Sequence, residues 1–345
     1  MIAVVIMAGG VGTRLFPAST KLRPKQFVMW PSASGDDGAS SSGPGQSLIQ
    51  QTYRRLAPLT TPDAIFIATT AELVEQVREH LPEAPPENII IEPMRRNSAG
   101  ACALATAAIA ARFGPETAVA FTPSDGAVSD NHLYQETLRS AARVAQERRG
   151  IVVVGIQPQR PATGFGYIRP GECLGRDVYR VAVFEEKPNH TRALQLVEEG
   201  CLWNAGIYVW RADVAYDAFS RFLPHHARLF EPGLSSSRLQ QLFEALPIVS
   251  VDVGIAERCD NIFCVAGRFG WDDLGTWDAF NRLLERDASG NVGLGSNRFV
   301  DSSHCVAIAD EGQVIALGVT GLVIVRYGNT VLVCPRERAE EVGKL

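Results

Sequence analysis

The sequence predicts an α/β fold with a Rossmann-like mixed, mainly parallel sheet flanked by helices. Three observations predict it. Short, wholly apolar runs alternate with longer amphipathic runs over the first 155 residues, a glycine-rich loop directly follows the first apolar run, and the last fifty or so residues carry only short β-type runs. This alternation is typical of parallel strands linked by helices, and the change near the C-terminus indicates a small β domain.

The predicted strands and helices follow from where the apolar residues fall. Five buried strands are predicted at Ile2–Ala8, Ala64–Ala68, Asn88–Ile91, Ala118–Thr122 and Ile151–Gly155. Four amphipathic helices are predicted between them, at Ser47–Leu56, Ala71–Leu81, Ser98–Phe113 and Leu133–Arg148. Strands that are apolar along their whole length are typical of a parallel sheet with both faces covered, so we expect helices on each side.

After residue 160 the pattern of the chain changes. The runs Gly164–Ile168 and Val178–Phe184 are predicted to pair as strands, and two further helix–strand units reach to about Arg286. We therefore predict a large domain over residues 1–287 and a small β domain over residues 288–345. Short β runs and one brief closing helix are predicted in the small domain, at His304–Ala309, Val314–Leu317, Leu322–Val325, Thr330–Cys334 and Glu337–Val342.

Residues 31–46 differ from the rest of the chain. The run from Pro31 to Gln46 is rich in Ser, Gly and Asp and has almost no apolar side chain. Such a segment cannot bury enough apolar surface to order itself, so we predict a flexible surface insertion. It lies close in sequence to the glycine-rich loop, which leaves open whether it acts as a lid or is passive.

The charge and the cysteine content exclude several classes of function. The 345-residue chain has a formal net charge of −5, which gives no sign of nucleic-acid binding, so an anionic substrate needs a local basic site. Its 7 cysteines are odd in number and form no C-x-x-C pair, which predicts buried free thiols in a reducing cytoplasm. The N-terminal apolar run is short and no basic region precedes it, so we expect a buried strand and a cytoplasmic protein.

The segment after the first strand carries the strongest functional signal. Gly9, Gly10 and Gly12 let the backbone approach a ligand, at the strand end where open α/β sheets bind ligands. The spacing fits neither the dinucleotide pattern G-x-G-x-x-G nor the P-loop pattern G-x-x-x-x-G-K-[ST]. Two cations follow, Arg14 with a planar fork for phosphate and Lys25 with a mobile point charge. Taken alone, the glycines would also fit an ordinary strand-to-helix turn.

The complete string resembles the signature G-G-x-G-T-R-L-x-P-x-S…K-P-K-Q-F of sugar-phosphate nucleotidylyltransferases, with Leu and Arg in front of the second proline as a small departure. In that family the loop holds a nucleoside triphosphate. The resemblance implies that Arg14 grips the departing pyrophosphate and that Lys25 contacts the reacting phosphates. The loop residues that it implies for nucleotide binding are Ala8, Gly9, Gly10, Gly12 and Thr13.

Two aspartates are candidates for a metal site, because nucleotidyl transfer depends on charge neutralisation that a carboxylate-held Mg²⁺ ion commonly supplies. Asp125 ends the strand 118–122, and Asp273 lies in the run F-G-W-D-D-L-G-T-W beside Asp272. Taken alone, Asp125 would also fit a turn cap and Asp273 a helix N-cap. The family carries an Asp after a central strand and another in W-x-D-x-G-T-W, which implies that both hold the metal. Gly126 stands where related guanylyltransferases usually have His.

Three further stretches resemble the sugar-phosphate side of the family. Phe184-Glu-Glu-Lys-Pro resembles F-V-E-K-P, which implies that Glu186 binds sugar hydroxyls and that Lys187 binds the sugar's phosphate as a third catalytic cation. Asn204 lies in a strand similar to N-[SA]-G-[IM], which implies a hydrogen bond to the sugar. Gly164 lies in a T-G-[YF]-G-Y-I turn that the family places beside the sugar. Without the resemblance, the first run would be a solvated strand end.

One branch of the family, the mannose-1-phosphate guanylyltransferases, has similar stretches elsewhere. Glu92-Pro-Met-Arg-Arg-Asn-Ser resembles E-P-x-x-[RK]-[ND]-T, which implies that Glu92, Asn97 and Ser98 bind the nucleotide. The run 250–257 resembles S-I-D-Y-A-I-M-E. The small β domain corresponds to a left-handed β-helix fragment in the family. Longer relatives carry a fused isomerase domain, and we expect this chain, which ends at Leu345, to lack that activity.

The resemblance as a whole implies transfer of GMP from GTP to mannose 1-phosphate with Mg²⁺, giving GDP-mannose and pyrophosphate. Two alternatives stay open: a related transfer that uses dTTP or UTP with glucose 1-phosphate, and a regulatory paralogue that binds nucleotide sugars without turnover. The catalytic cations and carboxylates are all present, which favours an enzyme. We further expect a homodimer that binds neither nucleic acid nor membranes.

Overall fold

The computed structural model describes residues 1–10, 12, 14–30 and 45–345, and the chain divides into two compact units. The first unit comprises Met1–Gly9, Tyr53–Ser124 and Asp130–Trp271. The second unit comprises Gly10–Thr52, Asp125–Ser129 and Asp272–Leu345. Residues 31–44 of the predicted insertion lie outside the described residues, and so does Thr13, one of the predicted nucleotide-binding residues.

Among the described residues, nine strands of the first unit form one sheet. In chain order they are β1 Ile2–Met7, β2 Ile65–Thr70, β3 Ile89–Glu92, β4 Ala118–Pro123, β5 Ile151–Ile156, β6 Tyr167–Gly175, β7 Val178–Glu185, β8 Leu202–Arg211 and β9 Ile262–Gly267. Their order across the sheet is β3-β2-β1-β4-β8-β5-β9-β7-β6. Strands β7 and β8 run opposite to the others, so the sheet is mixed and mainly parallel, as predicted.

Helices flank this sheet because its strands are apolar on both faces. Neighbouring residues of β1, such as Val4 and Val5, point to opposite faces, and both are fully buried. The helix Asn97–Phe113 packs against β1 to β4, and the helix Asn131–Arg148 packs against β4, β5, β8 and β9. The α-helices of the described residues are Leu48–Leu56, Val74–His80, Asn97–Phe113, Asn131–Arg148, His190–Glu198, Ala212–Phe222, Pro224–Ala227, Ser236–Ala245 and Phe280–Leu283.

The strands and helices predicted for the first 155 residues are confirmed, with ends displaced by up to a few residues. The second predicted helix begins at Val74 rather than Ala71, because a turn closed by the Leu73 N–H on the Thr70 carbonyl comes first. The strand predicted from Gly164 begins only at Tyr167. These shifts concern element ends, where local turns compete with the regular pattern.

A π-helical turn, Asp252–Ala256, precedes β9. The Glu257 N–H donates to the Asp252 carbonyl at 2.9 Å, and just before the turn the Val251 N–H donates to Ser98 Oγ at 2.9 Å. The backbone of Asp252 is therefore held on both sides. Single π-helical turns are rare in proteins, and those that occur are often found at functional sites.

The second unit contains five short strands that stack in successive coils, and a sixth that folds back on the last of them. The stacked strands are β10 Val292–Leu294, β11 Asn297–Val300, β12 Val306–Ala309, β13 Val314–Leu317 and β14 Leu322–Tyr327. The sixth strand, β15 Thr330–Pro335, pairs antiparallel with β14. Strands β10, β12 and β14 pair in parallel, with Val306 between Val292 and Val323, and β11 pairs in parallel with β13. Stacked parallel coils are typical of a β-helix, which confirms the fold class predicted for the C-terminal region.

A 3₁₀ helix, Arg336–Lys344, follows these strands and is longer than the helix predicted at Glu337–Val342. Its residues Ala339 and Val342 are buried in an apolar cluster that also contains Leu15 of the glycine-loop segment. The C-terminal helix therefore packs against the segment that carries Arg14. Two-residue strands complete the description, at Met29–Trp30, Gln46–Ser47, Ala127–Val128 and Trp271–Asp272.

The seven cysteines test the prediction of buried free thiols. All seven cysteines are described and free. Four of them are buried, whereas Cys259 and Cys334 are half-buried and Cys173 is exposed. This corrects the prediction of buried thiols, because Cys173 lies on β6, the edge strand of the sheet, where side chains face solvent.

Within the described ranges, no helix combines the length and the apolar character that crossing a membrane requires.

Candidate active site

Gly12 and Lys25 of the second unit lie in direct contact. Gly12 has φ 41°, in the left-handed region that favours glycine, and a Cβ atom on it would lie 2.8 Å from Lys25 Cγ. Gln26 Nε2 donates to the Gly10 carbonyl at 2.9 Å, which ties the loop to the short 3₁₀ turn Lys25–Phe27. Glycine at position 12 is therefore required by backbone conformation and by space, since the loop lies against the Lys25 side chain.

The ammonium group of Lys25 contacts both predicted metal-binding aspartates. Lys25 Nζ lies 3.1 Å from Asp125 Oδ2 and donates to the main-chain carbonyl of Asp273 at 2.5 Å. The side chains of Lys25 and Asp125 are only 13% and 30% exposed, so their ion pair is largely shielded from water. The structure therefore brings together three residues that are distant in sequence and that the sequence predicts for one site.

Asp272 and Asp273 are adjacent but have different partners. Asp272 Oδ2 lies 2.8 Å from Nε of Arg282, in an ion pair. Asp273 Oδ1 instead accepts the Gly275 N–H at 3.3 Å, and a Cβ atom on Gly275 would lie 2.6 Å from Asp273 Oδ2. Asp272 is therefore committed to a structural ion pair, whereas the loop of Asp273 contacts Lys25.

Arg14 is exposed, and it follows the same glycine loop. The neighbouring Leu15 is fully buried in the apolar cluster, which anchors the backbone beneath the exposed side chain. Gly343 of the C-terminal helix lies against Arg14, because a Cβ atom there would be 3.1 Å from Arg14 Cγ. An exposed guanidinium group on a fixed backbone suits the binding of a phosphate anion.

Ala8, Gly9 and Glu92 lie together in the first unit. The Ala8 N–H donates to the Ala68 carbonyl at 2.7 Å, and a Cβ atom on Gly9 would lie 3.4 Å from Glu92 Oε1. Glu92 ends β3 and is only 5% exposed. Burial raises the pKa of its carboxyl group to about 8, against the opposing charge of Arg95. The Glu92 carboxyl group is therefore mainly protonated at neutral pH and able to donate a hydrogen bond.

Asn97 and Ser98 begin the helix Asn97–Phe113 and have partners within the protein. Asn97 has φ 63°, and its Oδ1 accepts the Ser98 N–H at 2.8 Å. Ser98 Oγ accepts the Val251 N–H at 2.9 Å. These side chains hold the helix start and the segment before the π-helical turn, and their contact with a nucleotide stays a prediction.

Glu186, Lys187 and Asn204 lie in one polar cluster of the first unit. Lys187 Nζ forms an ion pair with Glu186 Oε1, and the Asn204 N–H donates to the Gly166 carbonyl at 2.8 Å. Burial, reinforced by the negative charge of Asp252, raises the pKa of Glu186. The side chain of Glu186 is 10% exposed and that of Lys187 is 62% exposed. The cluster thus has a shielded carboxyl group and an exposed cation.

The turn before β6 contains two glycines with different surroundings. A Cβ atom on Gly164 would meet no described heavy atom within 4 Å. A Cβ atom on Gly166 would lie 2.6 Å from Glu186 Oε2 and 3.1 Å from Phe184 Cζ. A side chain at position 166 would therefore displace Glu186, one of the predicted site residues. Gly166 itself is not among the predicted site residues, although it stands in the same T-G-F-G-Y turn.

Tyr208 and Asp252 belong to the same cluster and are also missing from the predicted site residues. Asn204 Nδ2 donates to Tyr208 Oη at 3.0 Å and to Asp252 Oδ1 at 2.9 Å, and the Tyr208 hydroxyl donates to the same Oδ1. Burial and the charge of Asp252 raise the pKa of Tyr208 well above its ordinary value. Asp252 lies in the run 250–257, which is a signal in the sequence. Tyr208 has no such signal, because the register of β8 shifts between Asn204 and Tyr208 and strand alternation does not relate the two.

Comparison with known proteins places the chain in a family. Residues 3–290 match the family model of nucleotidyl transferases, and residues 295–345 match the model of the mannose-phosphate isomerase/GMP-like β-helix domain. The chain belongs to the nucleotidyl transferase family. The second match agrees with the stacked parallel coils of the second unit.

Two relatives and one solved structure are similar over nearly the whole chain. A mannose-1-phosphate guanylyltransferase of Sinorhizobium fredii is 31% identical over 99% of this chain and 66% of its own length, and one of Klebsiella pneumoniae is 32% identical over 100% of this chain and 73% of its own length. This chain thus spans about two thirds to three quarters of the length of these relatives. A crystal structure described as a mannose-1-phosphate geranyltransferase from Thermus thermophilus has a TM-score of 0.88 and 35% identity, covering 99% of this chain and 97% of that one.

Proposed function

We propose that this chain transfers GMP from GTP to mannose 1-phosphate, releasing pyrophosphate and forming GDP-mannose. The contact of Lys25 with Asp125 and Asp273 carries the proposal, because nucleotidyl transfer needs cations and metal-binding carboxylates in one place. Membership of the nucleotidyl transferase family supports the type of reaction. The two guanylyltransferase relatives, similar over nearly the whole chain, support the choice of substrates.

The reaction would be a single in-line displacement. An oxygen of the phosphate of mannose 1-phosphate attacks the α-phosphorus of GTP and forms a new P–O bond. The bond from the α-phosphorus to the bridging oxygen breaks, and pyrophosphate leaves with the electron pair. The attacking oxygen is already ionised, so the step needs no covalent enzyme intermediate and depends on positioning and charge stabilisation.

A divalent cation, which we propose to be Mg²⁺, would be held by the carboxylates of Asp125 and Asp273. Hard carboxylate oxygens suit Mg²⁺, which commonly takes one or two carboxylates and fills its other positions with phosphate oxygens and water. Over the described part of the chain, no group of three or more His, Cys, Asp or Glu residues could enclose a metal ion, which fits a site completed by substrate. When bound, the ion would neutralise charge on the triphosphate.

The loop residues and two cations would bind the triphosphate. Backbone N–H groups of Gly9, Gly10 and Gly12 would face the phosphates, as glycine-rich loops allow. Lys25 would contact the reacting phosphates and Arg14 the departing pyrophosphate. Glu92 would add a buried carboxyl donor to the nucleotide side, together with Asn97 at the helix start.

Lys187, Glu186 and Asn204 would bind the sugar phosphate. The exposed ammonium group of Lys187 suits the phosphate dianion, and the shielded carboxyl group of Glu186 suits sugar hydroxyls. These groups belong to one hydrogen-bonded cluster, in which the shielded side chains of Glu186 and Asn204 are held in place before the substrate binds. Such preorganisation is what an in-line displacement requires of the acceptor side.

Release of pyrophosphate tests the proposal. The purified chain is incubated with GTP, dTTP or UTP in combination with mannose 1-phosphate or glucose 1-phosphate, with and without Mg²⁺. We expect the highest kcat/KM for GTP with mannose 1-phosphate, and turnover only with the divalent ion. A preference for dTTP or UTP with glucose 1-phosphate would replace the proposed substrates. Nucleotide-sugar binding without any turnover would contradict an enzymatic role.

We also propose a division of the chain and a state in solution. The catalytic domain would comprise residues 1–287 and the β-helix-like domain residues 288–345, and the two family matches, 3–290 and 295–345, support this division. The chain would act as a cytoplasmic homodimer that does not bind nucleic acid, and its free thiols support a reducing compartment. Light scattering of the purified chain tests the oligomeric state.

A further inference from the structure

The Asn204 side-chain amide is held by two acceptors within the protein. Its Nδ2 donates to Tyr208 Oη at 3.0 Å and to Asp252 Oδ1 at 2.9 Å. These two acceptors are hydrogen-bonded to each other, so they lie on the same side of the amide nitrogen. The Asn204 amide is therefore oriented toward Tyr208 and Asp252.

The orientation of this amide is fixed by a third contact. The Gly206 N–H donates to Asn204 Oδ1 at 3.1 Å. Because a backbone N–H needs an acceptor, the oxygen and the nitrogen of the amide cannot exchange places. Asn204 is 6% exposed, and its side chain is held on the oxygen side and on the nitrogen side. The Asn204 side chain therefore orients its neighbours Tyr208 and Asp252 in the cluster.

The two donors converge on one oxygen of Asp252. Oδ1 accepts from Asn204 and from the Tyr208 hydroxyl, whose single hydrogen is thereby used. The second oxygen, Oδ2, has no hydrogen-bond partner among the residues that the structure describes, and Asp252 is half-buried rather than enclosed. Glu257, the nearby carboxylate, already accepts the Glu186 N–H at 2.9 Å. Oδ2 of Asp252 is therefore an acceptor whose lone pairs remain available.

The backbone under Asp252 is rigid. Asp252 opens the π-helical turn, which the Glu257 N–H closes on the Asp252 carbonyl. A Cβ atom on Gly254 would lie 2.8 Å from Leu223 Cδ1, so this turn packs closely against the Leu223 side chain. The carboxylate is thus presented from a fixed turn and oriented by two buried donors, as a preorganised binding group should be.

We propose that Asp252 binds a hydroxyl group of the hexose 1-phosphate directly through Oδ2, and that Asn204 and Tyr208 are positioning residues that orient this carboxylate. The inference rests on the proposed function and deepens it, because it names a further acceptor for the hydroxyl groups of the sugar. It also gives Asn204 a part in supporting Asp252.

The charges of the cluster set the direction in which the ligand binds. Glu186 and Asp252 interact electrostatically, and they would repel a phosphate dianion. Lys187, which is largely exposed, attracts it. The phosphate therefore lies toward Lys187 and the hydroxyl groups lie toward Asp252, where a carboxylate accepts their hydrogens.

The variant Asp252→Asn tests the inference. Its side chain keeps an oxygen for Asn204 and Tyr208 but replaces the accepting Oδ2 with an N–H donor. We expect the KM for the sugar 1-phosphate to rise about 10- to 100-fold, as for the loss of one hydrogen bond to a charged group, while the Kd of GTP without sugar phosphate changes less than twofold. The matched control is Glu257→Gln, which retains an acceptor for the Glu186 N–H and should leave both values within twofold.

Deoxy analogues of the accepted hexose 1-phosphate, each lacking one hydroxyl, provide a second measurement. In the wild-type chain, one analogue should lose affinity because its missing hydroxyl no longer meets Asp252. In Asp252→Asn the same analogue should show no further loss, since both changes remove one contact. Losses that add for every analogue, or an unchanged KM in Asp252→Asn, would overturn the inference.

Tyr208→Phe keeps Asp252 and serves if Asp252→Asn does not fold. We expect it to raise the same KM by about 3- to 10-fold with kcat nearly unchanged, since it removes one of the two hydrogen bonds that orient the Asp252 carboxylate and leaves the other. A fall in kcat at constant KM would contradict a positioning role. If the wild type releases pyrophosphate and both variants behave like it, only this inference fails. If the wild type turns over no substrate pair, the proposed function fails. Calorimetry of mannose 1-phosphate binding to the wild type and the variants then still decides whether Asp252 binds this sugar phosphate.

Discussion

Gly343 lies against the side chain of Arg14, although the two residues are at opposite ends of the chain. A Cβ atom on Gly343 would be 3.1 Å from Arg14 Cγ and 3.8 Å from its Cα. The C-terminal helix that carries Gly343 is fixed by the buried residues Ala339 and Val342. The position of the proposed pyrophosphate-binding cation therefore depends on the C-terminal 3₁₀ helix.

Larger residues at position 343 should displace Arg14. Gly343→Val places two methyl groups where the Arg14 side chain now lies, and we expect kcat to fall about tenfold. Gly343→Ala should have a smaller effect, because a movement of a few tenths of an ångström accommodates one methyl group. Steady-state kinetics measures the change. Glu340→Ala, an exposed position on the same helix, should have wild-type kinetics, and a similar loss in both variants would contradict the specific contact.

Removal of the Lys25 ammonium group should affect turnover more than folding. In Lys25→Ala we expect kcat to fall on the order of 10²- to 10³-fold, as for the loss of one preorganised electrostatic contact to the transition state. Lys21→Ala removes an exposed cation from the same segment and should change kcat less than twofold. Near-normal turnover of Lys25→Ala would rule out the proposed role of this residue.

Substitutions of the adjacent residues Asp272 and Asp273 should differ in their effects on the Mg²⁺ requirement and on stability. Asp273→Asn should raise the Mg²⁺ concentration for half-maximal activity at least tenfold, and weaken Mg²⁺-dependent GTP binding in calorimetry, because a metal ligand loses its charge. Asp272→Asn should leave the Mg²⁺ requirement unchanged but lower the free energy of unfolding by roughly 1–3 kcal/mol, because it weakens the mostly shielded ion pair with Arg282. If Asp272→Asn changed the Mg²⁺ requirement and Asp273→Asn did not, the assignment of the two residues would be reversed.

The sequence predicts those features that local patterns determine. The strands β1 to β5 are largely apolar runs, so their existence and their parallel orientation follow from composition and alternation. Glu186, Lys187 and Asn204 lie in short motifs, and the structure places them in one cluster. The C-terminal β-helix follows from regularly spaced short runs, although its coils could be assigned only by resemblance.

Contacts between distant segments could not be predicted in this way. Nothing in the run around Tyr208 indicates that its hydroxyl meets Asp252, because that contact depends on the π-helical turn and on the packing of Gly254. The close contact of Gly343 with Arg14 likewise arises only when the C-terminal helix reaches Arg14. Gly166 was available in a motif, but its close packing against Glu186 is a property of the folded chain.

The buried carboxyl group of Glu92 should make stability depend on pH. Its pKa is about 8 in the folded chain against an ordinary value of 4.5, so between these values the folded state binds a proton that the unfolded state has lost. This contribution to stability is complete below about pH 4.5 and is lost as the pH rises through about 8. The chain should therefore become less stable over this range.

Glu92→Gln removes the titrating group and keeps the shape of the neutral side chain. We expect it to unfold like the wild type at pH 5 but to be more stable at pH 8.5, by on the order of 3 kcal/mol, because only the wild type must either hold a buried charge or take up a proton. Urea unfolding at the two pH values measures the difference. Glu87→Gln, an exposed position just before β3, should follow the wild type at both values. If the free energies of unfolding of wild type and Glu92→Gln changed in parallel from pH 5 to 8.5, Glu92 would be ionised in the folded chain over this range. The proposal that Glu92 is a protonated hydrogen-bond donor beside Gly9 would then be wrong.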